Sequence, residues 1–153
     1  SGTMNAPAAK AFALAAEIAV NELESETARL TEIRDELIKS VEQVAPVAKL
    51  TGDRTNRLPN NVHFVFEGCS GDSLLFLLDQ QGISVSTGSA CQAGVNGPSH
   101  VLLAMGRTEA QANGCLRMTI GKNSSMADVQ ALRNALPSAV EAALRAGMPG
   151  GEK

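Results

Sequence analysis

From Asn5 to Pro46 the sequence reads as one helical stretch, and its length decides how much of a 153-residue chain remains to build anything else. Asn5 can cap a first turn that contains Pro7, whose φ is already helical, and Pro46 closes the far end. Phe12, Ala16, Ala19, Leu23, Leu30, Ile33, Leu37 and Val41 recur at close to helical spacing, with Glu, Lys, Arg and Asp between them. One apolar stripe is therefore expected to face a core. The span is long for a globular helix, and Asn21 to Ser25, its weakest part by propensity, is the expected place for a bend or break.

Beyond Pro46 the elements are shorter and more varied. Val47 to Leu50 can form an edge strand, and GDRTNRLPN is a polar loop punctuated by Pro59. In NVHFVFEG, Val62, Phe64 and Phe66 alternate with His63, Val65 and Glu67, the period of a half-buried strand. GCSGDS turns the chain into a helix expected over Leu74 to Gln80 and stopped by Gly82, and Ile83 and Val85 begin a further short strand. Pro98 suits a first helical position, and SHVLLAMG closes on Gly106. GCLRMTIG is the last strand, with Leu116, Met118 and Ile120 on one face and Cys115, Arg117 and Thr119 on the other. A final helix is expected from Ala127 to Arg145, followed by a flexible tail over 147–153. The pattern predicts an α+β fold, a small sheet with helices packed on one side, and one domain over residues 1–146.

Composition removes several function classes. With 13 basic and 16 acidic residues interspersed along the chain, the net charge of −3 leaves no basic footprint for nucleic acid. No apolar run reaches the roughly 20 residues of a membrane span, and the first residues lack the blocks of a signal peptide, so a cytoplasmic protein is expected. Cys69, Cys91 and Cys115 form an odd, widely spaced set without a CxxC pair, against a disulfide framework or a structural zinc site. There is no Gly-rich phosphate loop after a strand, no HExxH and no paired-carboxylate constellation.

Two positions invite chemistry. Free cysteines are usually small buried hydrophobes, and Cys69 and Cys115 fit that description. Cys91 differs, because Ser86, Thr87, Gly88, Ser89, Ala90, Gln92, Ala93 and Gly94 around it can bury almost nothing. A mobile, exposed thiol in a poorly ordered loop from Thr87 to Gly97 is expected, with an intrinsic pKa of about 8.5 and no basic residue in the loop to lower it. Arg117 shares its strand face with uncharged Cys115 and Thr119; it is either a solvated surface residue or the carboxylate clamp of a partly enclosed pocket. Local pattern leaves both questions open.

The ordered combination of LPNNVHFVFEG, GDSLLFLLDQQGISVSTGSAC, PSHVLLAMG and LRMTIG resembles the C-terminal part of a cysteine desulfurase that depends on pyridoxal 5'-phosphate, the NifS/IscS-like branch of the class V aminotransferases. The resemblance runs from SGTMN to the last helix. It implies conversion of L-cysteine to L-alanine, with Cys91 as the nucleophile that carries the sulfur as a persulfide to an acceptor protein, whether for iron–sulfur cluster assembly, tRNA thiolation or biosynthesis. It implies that Arg117 grips the substrate carboxylate and that Thr3 reaches the cofactor phosphate of the other subunit of a homodimer. The family's cofactor lysine lies in a larger N-terminal domain that nothing here resembles, so these residues alone are expected to bind the cofactor weakly and not to turn over. His63 and His100 match no family catalytic histidine and read as structural. The competing reading is a free-standing thiol carrier or protein-binding module; a selenocysteine lyase is a further possibility within the fold.

Overall fold

The computed structural model of the chain describes residues 2–87 and 98–147. Helix α1 runs unbroken over Ala6–Val44, with the Asn5 side chain accepting a hydrogen bond from Ala8 N at 3.1 Å. The expected break at Asn21 to Ser25 does not occur. The stripe itself divides: Ile33, Leu37, Ile38 and Val41 are buried, whereas every residue from Ala6 to Asn21 is exposed, and Phe12, Val20 and Leu23 remain 77%, 71% and 64% accessible. Periodicity fixes which side of a helix is apolar, but not what covers it.

The packed half of α1 is held by polar clips as well as by its core residues. Arg29 donates to the carbonyl of Ser124 at 2.7 Å and pairs with Glu26, and Glu22 meets Lys122 at 2.7 Å. Further along, the buried guanidinium of Arg34 pairs with Asp35 and donates to the carbonyls of Arg57 and Leu58, fastening the polar loop to the helix. Within that loop the Asp53 carboxylate accepts from the amides of Thr55 and Asn56.

The sheet is antiparallel in the order β1-β2-β3, with β1 at Ala48–Leu50, β2 at Asn61–Phe66 and β3 at Cys115–Thr119. Its registers pair Ala48 with Phe66 and Leu50 with Phe64, then Phe64 with Leu116 and Val62 with Met118. All these side chains therefore share one face. Helices α1, α2 (Gly71–Asp79) and α5 (Met126–Gly147) cover it with Leu74, Leu78, Val129, Leu132, Leu136 and Val140. Each such side chain contributes roughly 1.5–3 kcal/mol by leaving water. The α+β architecture matches the sequence expectation.

Three local expectations change. Ile83 to Val85 forms no strand; the segment meets the sheet only through an antiparallel bridge between Ser86 and Arg117. Pro98 precedes the helix rather than starting it, since Ser99 is the N-cap of α3 (His100–Ala104). The polar run after Gly106 contains α4 (Glu109–Asn113), closed by a capping box between Thr108 and Gln111. Together α3 and α4 cover one end of the second sheet face, burying Leu102 and Ala112 against Val65 and Cys115.

Close approach of backbone explains one glycine. A Cβ on Gly71 would lie 2.6 Å from the carbonyl oxygen of Cys115 and 2.9 Å from that of Asn113. Gly71→Ala should therefore destabilise the chain by about 1–3 kcal/mol, although alanine is the better helix former by roughly 1 kcal/mol. Gly121→Ala, where a Cβ meets open space, should stay within about 0.5 kcal/mol of the parent in urea unfolding. Equal stability of the two variants would contradict the packing described.

Candidate functional site

The second face of the sheet carries polar side chains. Antiparallel pairing sets His63 opposite Arg117 and Asn61 opposite Thr119, while Val62, Phe64 and Phe66 of β2 point into the core. Because α3 and α4 cover only the Val65–Cys115 end, a cavity of about 330 Å³ opens at the other. Arg117, His63, Asn61, Arg57 and Thr51 line it, and Ser99, Val101, Leu102 and Met105 form the facing wall.

Arg117 is held at its backbone and left free at its head. Its N–H donates to the Ser86 carbonyl at 2.8 Å, and the Ser86 N–H returns a bond to its carbonyl at 3.0 Å. The guanidinium makes one long contact with Ser86 Oγ, 3.4 Å, and no ion pair among the described residues. Around it several buried polar atoms lack a partner among those residues: Arg57 Nε and Nη1, Asn61 Oδ1, His63 Nδ1 and Thr51 Oγ1. The His63 pKa falls to about 4, first through burial and then through the charges of Arg117 and Arg57. Burial and the nearby Arg34 also lower Arg57, which still carries its charge at neutral pH. Two guanidiniums and a neutral imidazole in one recess suit a planar anion such as a carboxylate.

A second recess of about 280 Å³ lies between α1, α5 and the Gln81–Val85 segment, walled by Ile33, Leu37, Ile83, Met118, Ile120 and Leu132. Its acid, Asp128, already accepts from Ser125 at the start of α5, so this recess offers no free reactive group among the described residues.

Of the residues singled out in the sequence, Arg117 lines the larger cavity. Cys91 lies outside the described residues, as does most of the loop around it and the tail beyond Gly147. Thr3 is exposed ahead of Asn5 and is not among the cavity residues. Cys69 and Cys115 are buried, as their structural reading requires, and burial pushes the Cys69 thiol upward. His63, read as structural, and Arg57, read as part of a polar loop, both belong to the cavity. The alternation in NVHFVFEG already sets His63 on the face away from Val62 and Phe64; what it lacks is the register that brings Arg117 opposite. Lys10, Lys39, Lys49 and Lys122 are exposed and none lines the cavity, so no described amine there could bind an aldehyde cofactor. The described residues hold no group of three metal-ligating side chains and no helix long and apolar enough to cross a membrane.

Comparison with known proteins gives a consistent outcome. The family model described as "Aminotransferase class-V" matches residues 1–132. An "IscS-like cysteine desulfurase" of Mycobacterium tuberculosis is 49% identical over 149 residues, covering 97% of this chain and 38% of that protein. "Cysteine desulfurase IscS 1" of Archaeoglobus fulgidus is 40% identical over 141 residues, 92% of this chain and 37% of its own. Among solved structures, a "NIFS-LIKE PROTEIN" superimposes with a TM-score of 0.78 at 28% identity, covering 92% of this chain and 35% of that one. A NifS-like protein from Rickettsia africae shares the fold, with a TM-score of 0.79 at 23% identity over 92% of this chain and 36% of that one. The chain thus spans less than two fifths of the relatives it matches.

The partly buried imidazole predicts a pH dependence. Since His63 takes a proton at about 4 in the folded state against 6.5 ordinarily, the unfolded chain binds more protons between those values. Stability should fall as pH drops through that window, by up to about 3 kcal/mol from this group. Asp53 and Glu42, whose pKa values are lowered by hydrogen bonds, add losses in the same direction beginning nearer pH 4.5. Urea unfolding at successive pH values should show the upper part of the slope vanish in His63→Asn; an unchanged slope would remove His63 as its source.

Proposed function

The chain belongs to the class V aminotransferase family, and from that premise we propose that residues 1–146 are the small C-terminal domain of a pyridoxal-phosphate-dependent cysteine desulfurase. In this reading the protein converts L-cysteine to L-alanine and carries the sulfur on Cys91. The observation that carries it is the bridge between Ser86 and Arg117: the strand that holds a guanidinium with no ion pair among the described residues in a cationic cavity also fastens the chain five residues ahead of Cys91. Five residues span at most about 18 Å, so covalent geometry keeps that thiol within reach of whatever Arg117 holds. The return of the chain through Ser99, in the same cavity wall, tethers the segment at its other end.

Arg117 pairs with the substrate carboxylate through its planar fork and so fixes the substrate's orientation. The cofactor, when bound, supplies an electron sink for the substrate's α- and β-carbons. The Cys91 thiolate attacks the substrate sulfur; an S–S bond forms and the C–S bond breaks, its electron pair staying on the carbon side, where protonation gives alanine. The persulfide then passes to an acceptor protein. No described lysine lines the cavity, so the residue that binds the cofactor's aldehyde belongs to the remainder of a longer protein, with Thr3 reaching the cofactor phosphate across a homodimer. The uncovered apolar residues of α1, Phe12, Leu14, Ile18, Val20 and Leu23, support such a remainder, because a helix half this apolar gains stability chiefly by packing. A cytoplasmic setting fits a thiol that must stay reduced between turnovers. A free-standing thiol carrier would need no carboxylate clamp, and the Arg117 cavity argues against it.

In the full-length enzyme, Cys91→Ser should leave cysteine binding, followed by its effect on the cofactor absorption spectrum, while abolishing persulfide formation. Arg117→Lys should keep an alkylatable thiol but lower kcat/KM by about 10- to 1,000-fold, roughly 1.4–4 kcal/mol. Normal alanine production by Cys91→Ser without added thiol, or unchanged cysteine binding by Arg117→Lys, would remove the corresponding role.

A further inference from the structure

The cavity has more donor capacity than one arginine uses. Arg57 reaches it from the loop between β1 and β2, and its guanidinium is fixed: Nη2 donates to the Thr51 carbonyl at 2.6 Å, while its own carbonyl accepts from buried Arg34. Two of its donors, Nε and Nη1, are nevertheless buried with no partner among the described residues, as is His63 Nδ1 on the strand beside Arg117. Buried donors of a charged group are costly to leave unpaired, and such a cluster beside an arginine that has no counter-ion among the described residues is the arrangement of a ligand site.

Among the described residues no neighbouring acid forms an ion pair with Arg57 or Arg117. Arg117 and Arg57 are the charged groups acting on His63. Arg34, Asp53, Asp35 and Arg54 act on Arg57. Asp53 lines the cavity, but its Oδ1 is taken by the amides of Thr55 and Asn56 and the Thr55 hydroxyl. Asp35 is paired with Arg34, and Arg54 with Glu42.

We propose that Arg57 and His63 complete, with Arg117, a single carboxylate-binding site, in which Arg57 is a second cationic ligand-binding residue and the neutral imidazole donates from Nδ1. This rests on the reading of the chain as part of an amino-acid enzyme and refines it: the ligand is the α-carboxylate of a small amino acid. The facing wall of Val101, Leu102 and Met105 accepts a short, uncharged side chain and offers no partner for a second charge. Three donors drawn from two strands and a loop hold a carboxylate in position and in plane, whereas one long side chain leaves it free to swing.

Acetate is the simplest probe of the site in the 153-residue chain. Titrating the His63 ring by NMR, with chloride at equal ionic strength as control, should show acetate raising its pKa by about one unit or more beyond chloride, since the ligand places a negative charge against the imidazole. Arg57→Gln should abolish that difference and Arg57→Lys, the milder change, should reduce it. In the full-length enzyme Arg57→Lys and His63→Asn should each raise KM for L-cysteine by roughly 10- to 100-fold with a much smaller change in kcat. Acetate no more effective than chloride, or an acetate response indifferent to Arg57→Lys, overturns the site. An active desulfurase whose KM ignores both substitutions overturns it too, while leaving the proposed function standing. An acetate response that depends on Arg57, in a full-length protein inert toward cysteine, supports the site and sinks the desulfurase reading instead.

Discussion

The pairing of β2 with β3 governs both halves of the molecule at once. Setting Phe64 against Leu116 buries both beneath α1, α2 and α5, and the same step of the ladder puts His63 against Arg117 on the reverse face. Side chains alternate along a strand, so a slip of one residue in β3 would carry Arg117 into the core and lift Leu116 and Met118 into the cavity. The apolar face therefore enforces the register that the polar face uses. The Arg117 guanidinium, without an ion pair among the described residues, stands on a strand locked by side chains of the opposite face.

The cavity exists because the second face is only half covered. Helices α3 and α4 close the Val65–Cys115 end, and the loop after β1 approaches from the other side without sealing it. That loop is shaped by polar contacts, from Arg34 and Asp53, rather than by burial. The division of labour is common in binding sites: regular elements set the distances, and a loop fastened by hydrogen bonds supplies the extra donors.

Much of this was legible in the sequence. Strong alternation gave β2 and β3, and the caps at Asn5 and Gly106 marked helix ends, because both signals depend on neighbours close in sequence. The first half of α1 misled, since Phe12 and Leu23 continue the stripe of Ile33 and Leu37 although nothing among the described residues covers them. Helix α4 was missed for the opposite reason: five mostly polar residues carry no periodicity, and only the Thr108–Gln111 capping box announces them. Ile83 and Val85 had strand composition, yet the chain there meets β3 at Ser86 alone. Arg117 could be suspected from its uncharged strand-mates, whereas Arg57 and His63 join it only through long-range register and loop placement, which no local window contains.

Helix α1 has a mechanical consequence. Its 39 residues make a rod of about 58 Å, of which the stretch before Glu22 extends about 24 Å past the last polar clip. Such a rod works as a lever with its fulcrum where the second half of α1 packs on the sheet. A tilt of about 10° at the anchored end moves the tip by roughly 4 Å over that arm. The direction of that arm is set by the angle at which Arg29 and Arg34 seat the packed half, so a change of seat at either arginine would be magnified along the exposed turns.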